Sequence, residues 1–88
     1  MKVEKIRHKM FDEFNKVPKK FNIKPPVGEW QYIYSSKKGK ISLIELPDYF
    51  RDGQTLWEIY SLEGDLFDDI ERFDSKEKAE KRIFDFMG

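Results

Sequence analysis

The stretch WQYIYSSKKGK, residues 30–40, has the pattern of one β-hairpin arm and its turn. Aromatic and β-branched residues fill its first half, and Lys37, Lys38 and Gly39 form a typical turn sequence. A second segment, WEIYSLEGD at residues 57–65, repeats the tryptophan, the Ile-Tyr-Ser step and a glycine-containing turn, now with acidic neighbours. Two such hairpins indicate that antiparallel strands form the centre of the fold.

The strand pattern extends on both sides of these segments. Alternating apolar runs separated by turn residues predict four strands, at about residues 29–36, 40–46, 55–62 and 66–73. Because short connections favour pairing between neighbours in the chain, the simplest arrangement is an antiparallel meander of two hairpins. Apolar side chains fall on both faces of these strands, which predicts that both faces are at least partly covered. Either the two helices cover opposite faces, or they share one face and a second copy covers the other.

An amphipathic helix is predicted over about residues 2–16, with His8 on its solvent side. Three prolines interrupt residues 18–28, which should therefore form an extended connector held in place by Phe21 and Ile23. The helix prediction depends on apolar residues that recur at helical spacing: Val3, Ile6, Met10, Phe14 and Val17.

A second helix is predicted over residues 75–87. Asp74 has the position of an N-cap, and Glu77 follows at the spacing of a capping box. Phe84 lies off the apolar stripe of this helix, which consists of Ala79, Ile83, Phe86 and Met87.

The composition is that of one small α+β domain spanning residues 1–88. With no cysteine, the chain must be held together by packing, and its eight Phe, four Tyr and two Trp supply most of the apolar area. The beginning of the sequence has no apolar stretch typical of a signal peptide, so a cytoplasmic location is expected. The residues predicted to be largely buried are Trp30, Trp57, Ile59, Ile83 and Phe86.

Charge is distributed unevenly although the net charge is zero. Residues 1–40 hold eleven Lys or Arg and four Asp or Glu, whereas residues 41–88 hold six and thirteen. In a meander the two hairpin turns lie at the same end of the sheet, so Lys37, Lys38 and Lys40 should face Glu63 and Asp65. The asymmetry also favours a two-fold dimer in which basic and acidic halves meet.

Enzyme chemistry has little support in the sequence, and no cofactor or metal site is expected. A single histidine and no cysteine leave no ordinary zinc site or catalytic triad. Asp48 followed by Asp74, Ser75 and Lys76 is weakly similar to a metal-dependent nuclease pattern. A metal-dependent hydrolase is therefore the third and least favoured hypothesis.

A binding surface is predicted at the end of the sheet opposite the hairpin turns. There the connector 18–28, the loop 47–54 and the start of the second helix should converge. Aromatic side chains and cations in loops are typical of binding surfaces. The predicted partner-binding residues are Lys19, Lys20, Lys24, Tyr49, Phe50 and Arg51. An alternative acidic surface, able to mimic phosphate in an inhibitor, consists of Glu63, Asp65, Asp69 and Glu71.

The expected function is therefore that of a small, non-enzymatic binding or regulatory domain with a protein partner. Nucleic-acid binding by the basic N-terminal half is the alternative. The segment RFDSKEKAEKRI (72–83) resembles the sheet-to-helix step of arm-type DNA-binding domains in phage recombinases, and SKEKAEK (75–81) resembles the second helix of double-stranded-RNA-binding domains. However, acidic residues in GDLFDDIERFD (64–74) stand where the first kind of domain meets phosphate, and Glu77 and Glu80 interrupt the lysines required by the second. The chain is assigned to neither family.

Overall fold

The computed structural model of the protein describes residues 1–21, 25–47, 53–63 and 69–88, except for the side chain of Lys19. This part of the chain contains two α-helices and a five-stranded antiparallel sheet, so it is α+β as predicted. In chain order the elements are β1 (Lys2–Arg7), α1 (Lys9–Asn15), a 3-10 turn (Lys19–Phe21), β2 (Trp30–Ser36), β3 (Gly39–Leu46), β4 (Leu56–Glu63), β5 (Glu71–Phe73) and α2 (Lys76–Met87).

The sheet is a simple meander with the strand order β1-β2-β3-β4-β5. Every neighbouring pair is antiparallel, and the register places Tyr32 opposite Leu43, which lies opposite Ile59. The predicted meander is confirmed, but the predicted number of four strands is wrong. The hairpin tips also meet as predicted at one pair, because Lys40 Nζ lies 3.6 Å from a carboxylate oxygen of Glu63.

The additional strand is β1, where the sequence pattern predicted the first half of a helix. Residues 2–7 pair along their whole length with β2, and only Lys9–Asn15 form the N-terminal helix. Val3 and Ile6 fit a helical stripe, but in a strand they point to opposite faces, and both are exposed. Pairing with β2 therefore determines the conformation of residues 2–7, and the helix begins only after His8, its N-cap.

One face of the sheet is covered by α2. The helix presents Ala79, Ile83 and Met87 to the sheet, and all three are buried. The core cluster beneath them is formed by the row of side chains that alternate onto this face: Tyr34, Ile41, Leu43 and Ile59, with Tyr32, Trp57, Phe73 and Phe86 packed around them. This face carries the main hydrophobic core.

The opposite face carries a second, smaller cluster. Ile44, Leu46 and Leu56 pack there with Val27, and Phe11 of α1 packs against them. The two helices therefore contribute to opposite faces, which was one of the two arrangements the sequence allowed. Farther along this face, Gln31 Nε2 donates to Ser42 Oγ at 2.8 Å and to the Tyr60 hydroxyl at 3.2 Å, so the buried Ser42 is satisfied.

The predicted core was only partly right. Ile59 and Ile83 are completely buried, but Trp30, Trp57 and Phe86 are only half-buried. The aliphatic residues of β3 take the central positions because β3 lies in the middle of the sheet, with a strand on either side. Trp57 and Phe86 instead pack around this aliphatic centre, and Trp30 lies outside it.

The start of α2 differs from the prediction by one residue. Ser75, not Asp74, is the N-cap, and its side chain accepts a hydrogen bond from the Lys78 backbone N–H at 3.2 Å. Asp74 instead forms an ion pair with Lys78 at 2.9 Å. Glu77 lies in the first turn, where its charge interacts favourably with the helix dipole, and it is not the return half of a capping box.

Two further predictions concern segments that flank the sheet. Phe21 ends a 3-10 turn with 58% of its surface exposed, so it does not hold the connector against the core as predicted. The last strand, predicted over 66–73, is found only at Glu71–Phe73 within the described residues. Ile23 and residues 64–68 lie outside the described part of the chain.

Candidate functional site

The predicted binding surface lies largely outside the described residues. Lys24, Tyr49, Phe50 and Arg51 are not described, and Lys19 is described only by its backbone. Lys20 is exposed, and its ammonium lies 5.2 Å from the ring centroid of its neighbour Phe21. The grouping of these six residues therefore stays a prediction.

A different group of cations and aromatic rings is visible at the same end of the sheet. Trp30 begins β2, and Arg7 lies opposite it at the end of β1. Arg7 Cζ lies 5.3 Å from the centre of the Trp30 ring, and Lys5 Nζ lies 4.5 Å from it. Both distances are within the range of a cation–π interaction. Two β1 cations thus contact the indole on the sheet face that carries α2.

The group continues along β2 to the first turn of α2. Tyr32 lies two residues after Trp30 and therefore on the same face. Lys76 Nζ, from the beginning of α2, lies 4.2 Å from the centre of the Tyr32 ring. We use the name Trp30 surface for the five residues Lys5, Arg7, Trp30, Tyr32 and Lys76. Three separate elements, β1, β2 and α2, are needed to assemble it.

Most of the positive charge of the Trp30 surface is already compensated. Arg7 forms ion pairs with Asp12 and Glu29, and the hydrogen bond from Arg7 lowers the pKa of Asp12. Lys76 lies 3.9 Å from a carboxylate oxygen of Glu80. For Lys5, by contrast, the contact recorded within the described residues is with the Trp30 ring. The surface therefore combines aromatic area with a small net charge.

The alternative acidic surface is partly described. Glu63 pairs with Lys40, and Glu71 accepts a hydrogen bond from Arg82 Nε at 3.0 Å. Asp69 is exposed, and Asp65 lies outside the described residues. Two of the four carboxylates are thus already engaged by cations of the same chain.

His8 has a structural position at the junction of β1 and α1. Its Nδ1 accepts a hydrogen bond from the Met10 backbone N–H at 3.1 Å, which caps α1. Desolvation by burial lowers its pKa below the ordinary value of 6.5. Among the residues that the structure describes, no group of three His, Asp or Glu side chains is arranged to hold a metal ion.

The His8 cap predicts a pH-dependent stability. Because the folded-state pKa is lowered, neutral His8 contributes stability above pH 6.5, and this contribution is lost as the pH falls through the folded-state pKa. Protonation of Nδ1 also removes the acceptor for the Met10 N–H. An NMR titration of this single histidine should give a pKa below 6.5. His8→Asn, which keeps a capping side chain, should lose the pH dependence, and a pKa at or above 6.5 would contradict the prediction.

The spacing of Lys5 and Arg7 in the sequence is consistent with the Trp30 surface, but the prediction of a helix over residues 2–16 separated the two side chains. Lys5 and Arg7 are two residues apart, which places them on one face of a strand but on different sides of a helix. Only the pairing of β1 with β2 brings them over Trp30. Lys76 joins the group because α2 begins at this end of the sheet.

Comparisons with known proteins provide no family for the chain. No family model, no curated protein and no solved structure matches it. Within the described residues, no helix is long and apolar enough to cross a membrane.

Proposed function

We propose that the protein is a non-enzymatic binding module that engages a protein partner through the Trp30 surface. The observation that carries this proposal is the position of Trp30. It belongs to neither core cluster, and its recorded ring contacts within the described residues are with Lys5 and Arg7. A tryptophan that lies outside both core clusters and is only partly buried, with cationic side chains against its ring, keeps part of its indole accessible to a partner. Cytoplasmic location is part of the same proposal.

The residue types of the Trp30 surface favour a protein partner. Trp, Tyr and Arg are the residues that most often dominate the binding energy of protein interfaces. The cations also lie beside aromatic rings, so an approaching carboxylate could replace an internal contact without leaving a buried charge unpaired. A partner with an apolar contact area and a carboxylate opposite Lys5 fits this arrangement best.

Nucleic-acid binding is the second candidate, and one observation favours it. Three cations and two aromatic rings on one face could contact phosphates and stack with unpaired bases. However, Asp12, Glu29 and Glu80 neutralise two of these cations. Because phosphate contacts supply most of the affinity for nucleic acid, a compensated surface supports this candidate less than the first.

The inhibitor form of the hypothesis, with Glu63, Asp65, Asp69 and Glu71 as a phosphate-mimicking surface, receives less support. Glu63 and Glu71 already interact with Lys40 and Arg82. A partner would have to displace these ion pairs before the carboxylates could act together.

The proposal predicts that Trp30→Ala strongly weakens binding of the protein partner while the fold is retained. Removal of an aromatic anchor at the centre of an interface typically costs about 2 kcal/mol or more, roughly a thirtyfold loss of affinity. Affinity capture from the native host, followed by titration of the captured protein, would measure this loss. Lys37→Ala with Lys38→Ala, at the opposite end of the sheet, is the matched control and should bind normally. Equal binding by Trp30→Ala and the control would refute the proposal.

A single-tryptophan variant separates the two candidate functions. Trp57→Phe leaves Trp30 as the only indole and therefore as the reporter of its own surface. The emission of this variant should shift when the captured protein is added, and it should not change when single-stranded DNA or RNA is added at physiological salt. Salt-sensitive quenching by the oligonucleotides would instead support nucleic-acid binding.

A further inference from the structure

Strand β1 lies at an edge of the sheet, and all six of its residues are exposed. The direction of its backbone groups follows from one hydrogen bond, in which the His8 N–H donates to the Glu29 carbonyl in continuation of the β1–β2 register. In an antiparallel pair, alternate residues bond to the neighbouring strand. The even-numbered residues of β1 therefore bond to β2, and Val3, Lys5 and Arg7 direct their N–H and C=O groups outward.

We propose that β1 pairs antiparallel with β1 of a second copy of this chain, about a two-fold axis that passes between the two Val3 residues. The partner would continue the sheet, and Val3 would exchange backbone hydrogen bonds with its counterpart. Each Lys2 would then lie opposite Glu4 of the other copy in a non-hydrogen-bonded pair. In such pairs the side chains are closest, so both ion pairs across the axis are well placed.

The register follows from symmetry and charge. A two-fold axis perpendicular to the sheet keeps each face of the sheet continuous across the dimer. Because paired residues must point to the same face, this axis has to pass between two copies of the same residue. Centring on Lys2, Glu4, Lys5 or Arg7 would place like charges directly opposite each other, which is destabilising. Centring on Ile6 would place Lys5 opposite Arg7. Val3 is the one centre within β1 that brings opposite charges together.

Exposed apolar side chains support the same centre. Met1 and Val3 are 58% and 51% exposed and are two residues apart, so extended backbone places them on the same face. Val3 lies opposite Tyr34 in β2, and the Tyr34 ring contacts that of the exposed Phe84 on α2. The principal contacts of α2 with the sheet are with β2 to β5, so the helix leaves β1 accessible. Pairing would bury Val3 and bring Met1 of each copy opposite Lys5 of the other.

This inference goes beyond the proposed function, because the axis lies at Val3 and the Trp30 surface lies at the other end of β1. In the dimer, the two Trp30 surfaces would be on the same face of one continuous sheet. A partner with two suitable segments could then bind both surfaces, which raises the overall affinity without any new contact.

A charge-exchange experiment tests the register. Lys2→Glu and Glu4→Lys should each reduce self-association, because each places like charges across both sides of the axis. An equimolar mixture of the two variants restores opposite charges at both positions and should form a heterodimer. Lys2 and Glu4 also form an ion pair within one chain, and each substitution replaces it by a repulsion between like charges. Mixing the variants leaves this repulsion within each chain unchanged, so it cannot explain a rescue.

Sedimentation equilibrium at low salt and high micromolar concentration would measure the masses against the monomer mass of 10.7 kDa. Lys9→Glu and Glu13→Lys, both on the exposed part of α1, are the controls with the same charge changes. They should associate like the unmodified protein. A monomeric unmodified protein, or a mixture that associates no more than its components, would overturn the proposal.

A cysteine variant provides a second test that does not depend on charge. The chain has no cysteine, so Val3→Cys introduces one thiol at the proposed axis. Cα atoms about 5.5 Å apart in a hydrogen-bonded pair are within the range of a disulfide. Val3→Cys should cross-link in oxidised glutathione much faster than Ile6→Cys, which has no counterpart opposite it in this register. Equal rates for the two variants would exclude the register.

Discussion

Replacing Ile83 by aspartate is expected to abolish the folded state of the protein. Ile83 is completely buried between α2 and the sheet, among Leu43, Ile59 and Tyr34. The substitution removes the apolar side chain, which costs about 2–5 kcal/mol, and introduces a carboxylate without a partner, which costs several kcal/mol more. The sum is comparable with the total stability of about 5–15 kcal/mol that is typical of a small domain. Circular dichroism should show no cooperative thermal transition.

The adjacent residue provides the control for this prediction. Phe84 is 45% exposed, and its ring contact is an edge-to-face interaction with Tyr34. Such ring pairs contribute about 0.5–1.5 kcal/mol, so Phe84→Asp should retain a cooperative transition at a slightly lower temperature. A folded Ile83→Asp variant together with an unfolded Phe84→Asp variant would show that α2 is rotated about its axis relative to the structure.

The parts of the fold that could be predicted from sequence are those with a strong local pattern. Strands β2, β3 and β4 were found because alternating apolar residues and glycine turns mark them without reference to the rest of the chain. Helix α2 was found for the same reason, since Ala79 and Ile83 repeat at helical spacing and cap-forming residues precede them. The N-cap was displaced by one residue because Asp74 and Ser75 are both good caps, and only the backbone geometry selects Ser75.

Strand β1 could not be predicted because its conformation depends on a partner that is distant in sequence. Lys2 pairs with Ser35 and Arg7 with Trp30, across the whole of α1 and the connector. Within residues 2–17, the apolar residues have helical spacing, and this local signal is correct only for the second half. The local pattern of residue types predicts secondary structure poorly where pairing with a distant strand determines the backbone conformation.

The Trp30 surface depends on the same long-range pairing. A tryptophan in a predicted strand is expected to be buried, and that expectation assigned Trp30 to the core. The structure instead places it beside β1, against Lys5 and Arg7, on the face that carries α2 but outside the α2 core cluster. The residues predicted for the loops, Tyr49, Phe50 and Arg51 among them, belong to segments outside the described residues, so their contribution to the same end stays a prediction.

Truncation of Ile59 to alanine is expected to be the most destabilising conservative change in β4. Ile59 is completely buried, faces α2, and lies opposite Leu43 of β3 and Glu71 of β5. Because strands on both sides and a helix above hold the surrounding atoms in place, the cavity cannot close easily. The expected loss is about 2–5 kcal/mol, and the melting temperature should fall by about 8 °C or more.

Leu62→Ala is the matched control on the same strand. Leu62 is three residues farther along β4, at the irregularity in the β3–β4 register, and it is 42% exposed. Its truncation should cost about 1 kcal/mol, less than that of Ile59, because a large part of its surface stays in water and no enclosed cavity is left. Urea unfolding of both variants would measure the two losses, with unchanged m-values if only stability changes. A larger loss for Leu62→Ala than for Ile59→Ala would mean that β4 is displaced by one residue, since such a shift exchanges the buried and exposed faces of a strand.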